Sequence, residues 1–119
     1  MGPGARLNMT DVLSALQATL EERRTATPDD SYVASLYATG LNKILEKIGE
    51  EATEVVLAAK DFENTDASRS ALIDEVADLW FHTMVMLTHL NLSQEEVLDA
   101  LGARMGISGL AEKKSRSKA

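Results

Sequence analysis

The sequence contains no cysteine, few aromatic residues and no long apolar run. Without cysteine it can form no disulfide, thiolate nucleophile or cysteine-based zinc site, which fits a reducing cytoplasm. Aromatic residues make up only 4% of the chain, which disfavours a β-sandwich or an aromatic platform for nucleic acids. No apolar segment approaches the ~20 residues of a membrane span. These absences favour a helical, cytoplasmic protein.

Basic residues are also scarce relative to acidic ones. The chain carries 12 lysines and arginines against 19 aspartates and glutamates, for a net charge of −7. Such a chain binds nucleic acid poorly, because phosphate neutralisation needs a basic surface. We therefore expect a small-molecule partner, with neither nucleic acid nor membrane involved.

The 119 residues suffice for one compact domain with a single core. Residues 1–8 have no apolar signal core, and Met9 followed by Thr10 and Asp11 resembles a natural start. We predict that residues 1–8 are an added leader, that residues 9–110 form a single all-α domain, and that residues 111–119 form a flexible basic tail.

Apolar residues recur at helical spacing through most of the chain, and no period of two is present. The predicted helices span about residues 11–24, 31–62, 67–90 and 93–105. Gly40 predicts a bend or break in the second, and Ser93 with Glu96 predicts a capping box for the fourth. The fold class is all-α, a bundle of about four helices with two long antiparallel helices at its centre.

Two groups of acidic residues lie within these two long helices, each among apolar neighbours that we expect to face the core. These neighbours include Val56 and Leu57 beside the first group and Ile73 and Trp80 beside the second. Like charges at helical neighbour spacing repel, and acidic residues are rarely buried without a partner. The groups lie about equally far from the turn at residues 64–66, so antiparallel pairing brings them to the same level. A cation between them would offset the repulsion. The residues are Glu50, Glu51, Glu54, Glu75 and Asp78.

Oxygen ligands without cysteine suit Mg²⁺, with Mn²⁺ as a substitute. Lys43 and Lys47 lie on the same strip as the first acidic group, where they would contact phosphate oxygens. A metal ion, these lysines and a water held by a spare carboxylate indicate phosphoanhydride hydrolysis. His82 fits either a core-edge histidine or a ligand, and we favour a supporting role beside the carboxylates. The competing interpretation is an acidic strip that simply faces solvent.

The pattern Glu50-Glu51-x-x-Glu54 followed by Glu75-x-x-Asp78 resembles the MazG-like all-α nucleoside triphosphate pyrophosphohydrolases. A longer string is similar to the phosphoribosyl-ATP pyrophosphohydrolases of histidine biosynthesis. It reads Ser31-Tyr32-x-x-x-Leu36-x-x-x-Gly40-Leu41-x-Lys43-Ile44-x-x-Lys47-x-Gly49-Glu50-Glu51-Ala52-Thr53-Glu54. The resemblance extends through Glu75-x-x-Asp78-Leu79-x-x-His82 to Leu101-x-x-Arg104-x-Gly106-x-Ser108-Gly109-Leu110.

This resemblance implies hydrolysis of phosphoribosyl-ATP to phosphoribosyl-AMP and pyrophosphate with Mg²⁺. It also implies a homodimer that completes the helical bundle. Glu50 and Glu51 would be catalytic, with Glu50 orienting water or a second ion. The implied metal ligands are Glu51, Glu54, Glu75 and Asp78, and the implied phosphate contacts are Lys43, Lys47 and Arg104.

The sequence is also compatible with two other functions. A member of the same superfamily could instead hydrolyse dUTP or another ordinary or damaged nucleoside triphosphate, although the string from Ser31 to Lys43 argues for the narrower substrate. A protein of a different class, a non-enzymatic helical dimer acting as an adaptor, would carry a solvated acidic strip and gain no stability from Mg²⁺.

Overall fold

The computed structural model describes residues 9–106, with side chains from residue 12 onward. Within this range the chain is all-helical, as predicted, and contains no strand. The predicted leader at residues 1–8 and the predicted basic tail at residues 111–119 lie outside it, as does the end of the predicted domain. The helices are α1 (Met9–Glu22), α2 (Tyr32–Thr39), α3 (Leu41–Lys60), α4 (Asp66–His89) and α5 (Gln94–Arg104), with single 3₁₀ turns at Arg23–Thr25 and Pro28–Asp30 between α1 and α2.

The predicted break at Gly40 divides the second helical stretch into α2 and α3, so the bundle has five helices among residues 9–106. Gly40 has a φ of +109°, a conformation that residues with a Cβ atom rarely adopt. Its N–H closes the last turn of α2 on the carbonyl of Leu36, and its own carbonyl accepts from the N–H of Ile44 in α3. Gly40 therefore redirects the chain so that α3 can lie along α4.

Helices α3 and α4 form the largest helix–helix contact in the described part of the chain. The turn between them includes Asn64, whose φ of +58° is in the left-handed region that asparagine tolerates. Thr65 then caps α4 by accepting from the N–H of Ser68 at 3.1 Å. This short, capped turn makes the two helices antiparallel neighbours, as the spacing of the acidic groups requires.

The core lies where α1, α2 and the start of α3 meet the carboxyl-terminal half of α4. Its fully buried members include Leu20, Ile44 and Val85. Polar contacts reinforce the junction, since the Gln17 amide donates to the Thr88 hydroxyl at 3.1 Å and accepts from the N–H of Gln94 at 3.2 Å. The predicted capping box at the start of α5 is confirmed, with the Glu96 carboxylate accepting from the N–H of Ser93 at 2.9 Å.

Several apolar residues that the sequence assigned to the core are exposed instead. Trp80 is 51% exposed, and Ile73, on the same helix, is 67% exposed. Val56 and Leu57 on α3 are also more than half exposed. A single chain therefore leaves substantial apolar surface on its two longest helices. No helix among residues 9–106 is long and apolar enough to cross a membrane.

Candidate metal centre

Three of the predicted carboxylates come together between α3 and α4. Glu51 reaches across from α3, while Glu75 and Asp78 share one face of α4 because they are three residues apart. One carboxylate oxygen from each lies within 4.8 Å of the other two. The two acidic groups predicted to be one site thus meet across the helix pair.

This arrangement shifts the pKa of Glu75. Desolvation raises the pKa of its carboxyl, and the charges of neighbouring carboxylates raise it further. The neighbours are Glu54, Glu51, Asp78 and Asp74. The ionised cluster therefore opposes its own formation, and a cation held between the carboxylates would offset that repulsion.

Lys47 lies at the border of the cluster. Its ammonium nitrogen is 3.1 Å from an oxygen of Glu50 and 3.7 Å from an oxygen of Glu51. The hydrogen bond to Glu50 raises the pKa of Lys47. Lys47 thus places a positive charge next to the carboxylates at neutral pH, where it could contact an anionic ligand that reaches them.

The remaining predicted residues do not belong to the three-carboxylate group. Glu54 is outside the 4.8 Å group, although its charge acts on Glu75. Lys43 pairs with Glu46 at 3.5 Å, and both side chains are exposed. Arg104 is exposed in the last turn of α5, a helix that supplies none of the clustered carboxylates. Their predicted roles stay predictions.

His82 is buried behind Asp78 and does not belong to the carboxylate group. Its Nδ1 lies 2.8 Å from the backbone carbonyl oxygen of Asp78, and its Nε2 lies 2.8 Å from the hydroxyl of Tyr32. The sequence alone predicts no role for Tyr32. Fifty residues separate it from His82 in the chain, so no local spacing could have linked them.

The donor set fits a hard divalent cation. All three clustered groups are carboxylates, the chain has no cysteine, and neither histidine joins the group. Carboxylate oxygens are preferred by Mg²⁺ and Mn²⁺, whereas softer metals favour nitrogen and sulfur ligands. The cluster could therefore hold a metal ion, together with a phosphate that Lys47 neutralises from one side.

The chain is similar to known proteins over nearly its whole length. A family model described as phosphoribosyl-ATP pyrophosphohydrolase matches residues 13–105. A "Phosphoribosyl-ATP pyrophosphatase" from Hydrogenovibrio crunogenus (strain DSM 25203 / XCL-2) is 53% identical over 108 residues, covering 91% of this chain and 95% of the relative. Both matches include the residues of the acidic cluster and the string that precedes it.

Proposed function

Because the chain belongs to the phosphoribosyl-ATP pyrophosphohydrolase family, we propose that its acidic cluster is the Mg²⁺ site of that reaction. The protein is an enzyme that hydrolyses phosphoribosyl-ATP to phosphoribosyl-AMP and pyrophosphate in histidine biosynthesis. One water is consumed, and one phosphoanhydride bond is broken. The observation that carries the proposed site is the convergence of Glu51, Glu75 and Asp78 from two helices.

We assign the metal ligands to these three residues, with Glu54 as a fourth. The charge of Glu54 contributes to the raised pKa of Glu75, which supports its assignment to the same site. When bound, Mg²⁺ would neutralise phosphate charge and polarise the reacting phosphoryl group. Mn²⁺ satisfies the same oxygen preference and would substitute for it.

The other charged groups are assigned to the substrate and to water. Lys47, already next to Glu50 and Glu51, would exchange part of that contact for phosphate oxygens, and Lys43 and Arg104 would bind phosphates farther out. Glu50 or Glu51 would accept a hydrogen bond from the attacking water and take its proton as the new P–O bond forms. A cytoplasmic location, as expected from the sequence, stays a prediction.

A substrate panel tests the assignment. Purified protein with Mg²⁺ is expected to release pyrophosphate from phosphoribosyl-ATP, and ATP, dUTP and other nucleoside triphosphates should be poor substrates. Pyrophosphate release is measured with a coupled phosphate assay at matched substrate concentrations. Robust turnover of dUTP together with none of phosphoribosyl-ATP would contradict the substrate, and no turnover of any nucleotide would favour the adaptor interpretation.

We further propose that the enzyme is a homodimer, because a second copy would bury the apolar groove that is exposed between α4 and α5. Its wall includes Trp80, Val97 and Leu101, which are 51%, 41% and 45% exposed, and it encloses about 330 Å³. At its floor the amide of Gln94 is 4% exposed, and neither its oxygen nor its nitrogen has a hydrogen-bond partner among the described residues. This amide is inaccessible from the surface, so the part of the groove available to a second copy is its exposed apolar side chains, and a two-fold axis would bury both copies of that surface together.

Trp80 gives a direct test, since it is the single tryptophan of the chain. In a dimer its emission should be blue-shifted, and it should move to longer wavelength as dilution separates the copies. Trp80→Glu should place a charge in the apolar interface and give a monomer in sedimentation velocity. Ala38→Glu, an exposed substitution on α2 away from the groove, should remain dimeric. A monomeric wild-type protein at assay concentration would contradict the dimer.

A further inference from the structure

Tyr32 and His82 form a hydrogen bond that joins two helices next to the acidic cluster. Tyr32 is the first residue of α2 and is 51% exposed, whereas His82 is 5% exposed in the middle of α4. The hydroxyl oxygen and Nε2 are 2.8 Å apart, and the rings meet edge to face at an interplanar angle of 82°. A half-exposed ring is thus anchored at its polar tip by a buried partner.

The second nitrogen of His82 decides the direction of this bond. Nδ1 lies 2.8 Å from the carbonyl oxygen of Asp78, and a carbonyl oxygen can only accept, so Nδ1 carries the hydrogen. In the neutral imidazole that hydrogen leaves Nε2 with a lone pair. With His82 in this neutral form, the Tyr32 hydroxyl donates a hydrogen bond to Nε2.

A tyrosine hydroxyl has one hydrogen and two lone pairs. Because the hydrogen is committed to His82, the oxygen can only accept from any further group. The imidazole that holds this hydroxyl is also hydrogen-bonded to the backbone of Asp78, a member of the carboxylate cluster, so Tyr32 adjoins the cluster through His82. The contribution of Tyr32 to the raised pKa of Lys47 agrees with this placement. An acceptor with a fixed orientation therefore lies next to the proposed substrate site.

We infer that Tyr32 is a specificity-determining residue, whose hydroxyl oxygen accepts a hydrogen bond from the nucleoside part of the substrate. The reasoning rests on the proposed function only in taking the acidic cluster as the site of hydrolysis. Phosphate oxygens are acceptors when ionised, so they cannot pair with this oxygen. Ribose hydroxyls and base N–H groups can. Tyr32 therefore binds the sugar or base, while Lys47 binds the phosphates.

Tyr37 on the same helix supplies a matched control. Its hydroxyl also links α2 to another helix, donating to the backbone carbonyl of Leu20 at 3.0 Å. Its ring stacks on His89 rather than on a residue of the acidic cluster. Removing either hydroxyl thus deletes one interhelical hydrogen bond, but only Tyr32 adjoins the proposed substrate site.

The experiment compares Tyr32→Phe, Tyr37→Phe and wild-type enzyme with two probes, phosphoribosyl-ATP as substrate and Mg²⁺-pyrophosphate as a competing product. Tyr32→Phe should raise the KM for phosphoribosyl-ATP by about three- to tenfold, the value of one hydrogen bond, while kcat changes less. Its inhibition constant for pyrophosphate should equal that of the wild type, because pyrophosphate has no nucleoside. Tyr37→Phe should leave both constants unchanged.

An unchanged KM in Tyr32→Phe would overturn the inference. An equal rise in the KM and in the pyrophosphate inhibition constant would overturn it too, because that result would mean that Tyr32 acts on the phosphate site. Lys47→Met should raise both the KM and the pyrophosphate inhibition constant, and so serves as the reference for a residue that binds the phosphates. If the wild-type enzyme does not hydrolyse phosphoribosyl-ATP, both the assigned function and the role of Tyr32 are contradicted. If the wild-type enzyme hydrolyses it and Tyr32→Phe does so with an unchanged KM, only the role of Tyr32 is contradicted.

Discussion

Glu51→Gln is expected to lower the rate of pyrophosphate release by on the order of 10³-fold, with the fold retained. Glu51 is the only residue of α3 in the 4.8 Å carboxylate group, and Glu54, the other ligand assigned on that helix, lies outside it. The amide is the same size as the carboxylate but carries no charge, and it is a weaker metal ligand. It also cannot take a proton from water. Loss of either role has a large effect on the reaction.

Stability measurements separate this effect from misfolding. The substitution removes one negative charge from a repulsive cluster, so thermal unfolding without metal should occur at the same or a higher temperature. Asp78→Asn should behave like Glu51→Gln, because it removes a carboxylate from the α4 side. Glu46→Gln is the matched control on α3, since Glu46 pairs only with Lys43 among the described residues and lies outside the cluster.

Steady-state pyrophosphate release over a range of Mg²⁺ concentrations is the measurement. A Glu51→Gln or Asp78→Asn enzyme that keeps wild-type activity would show that the three-carboxylate cluster is not the metal site. A loss of activity in Glu46→Gln as large as in Glu51→Gln would instead point to a general effect of charge on α3.

The second large effect concerns the metal ion itself. Removal of divalent cations with a chelator should reduce turnover to background, and Mg²⁺ or Mn²⁺ should restore it. Mg²⁺ at ~100 times its dissociation constant should also raise the unfolding temperature of the wild type by roughly 10 °C, because it binds the folded cluster and not the unfolded chain. Differential scanning calorimetry with and without Mg²⁺ measures the shift.

Glu75→Gln makes this prediction specific to the cluster. Desolvation and the surrounding carboxylates disfavour the charged form of Glu75, as its raised pKa indicates. The neutral amide should therefore raise the unfolding temperature of the metal-free protein at neutral pH, while greatly reducing the shift that Mg²⁺ produces. Glu63→Gln, on the exposed turn between α3 and α4, should change neither value. An unchanged Mg²⁺ shift in Glu75→Gln would exclude Glu75 as a ligand.

Much of the fold followed from local patterns. The all-α class, the break at Gly40, the turn near residue 64 and the capping box at Ser93 each depend on a few consecutive residues, and each is present in the structure. The sequence also predicted that the two acidic groups lie at the same level along the helix pair, because two helices joined by a short turn pack as antiparallel neighbours. Trp80 was assigned wrongly to the core, since apolar spacing cannot distinguish a core from a surface left for a second chain.

The sequence by itself determined which kinds of group the site contains, because helical periodicity places Glu75 with Asp78, and Lys47 with Glu50 and Glu51, whatever the helices contact. Only the tertiary structure decided that Glu51 rather than Glu50 or Glu54 lies within 4.8 Å of the α4 carboxylates, and that Tyr32 is hydrogen-bonded to His82. The physical reason is that periodicity fixes angles within one helix. The rotation of a helix against its neighbour, and any contact across fifty residues of chain, depend on packing of the whole core.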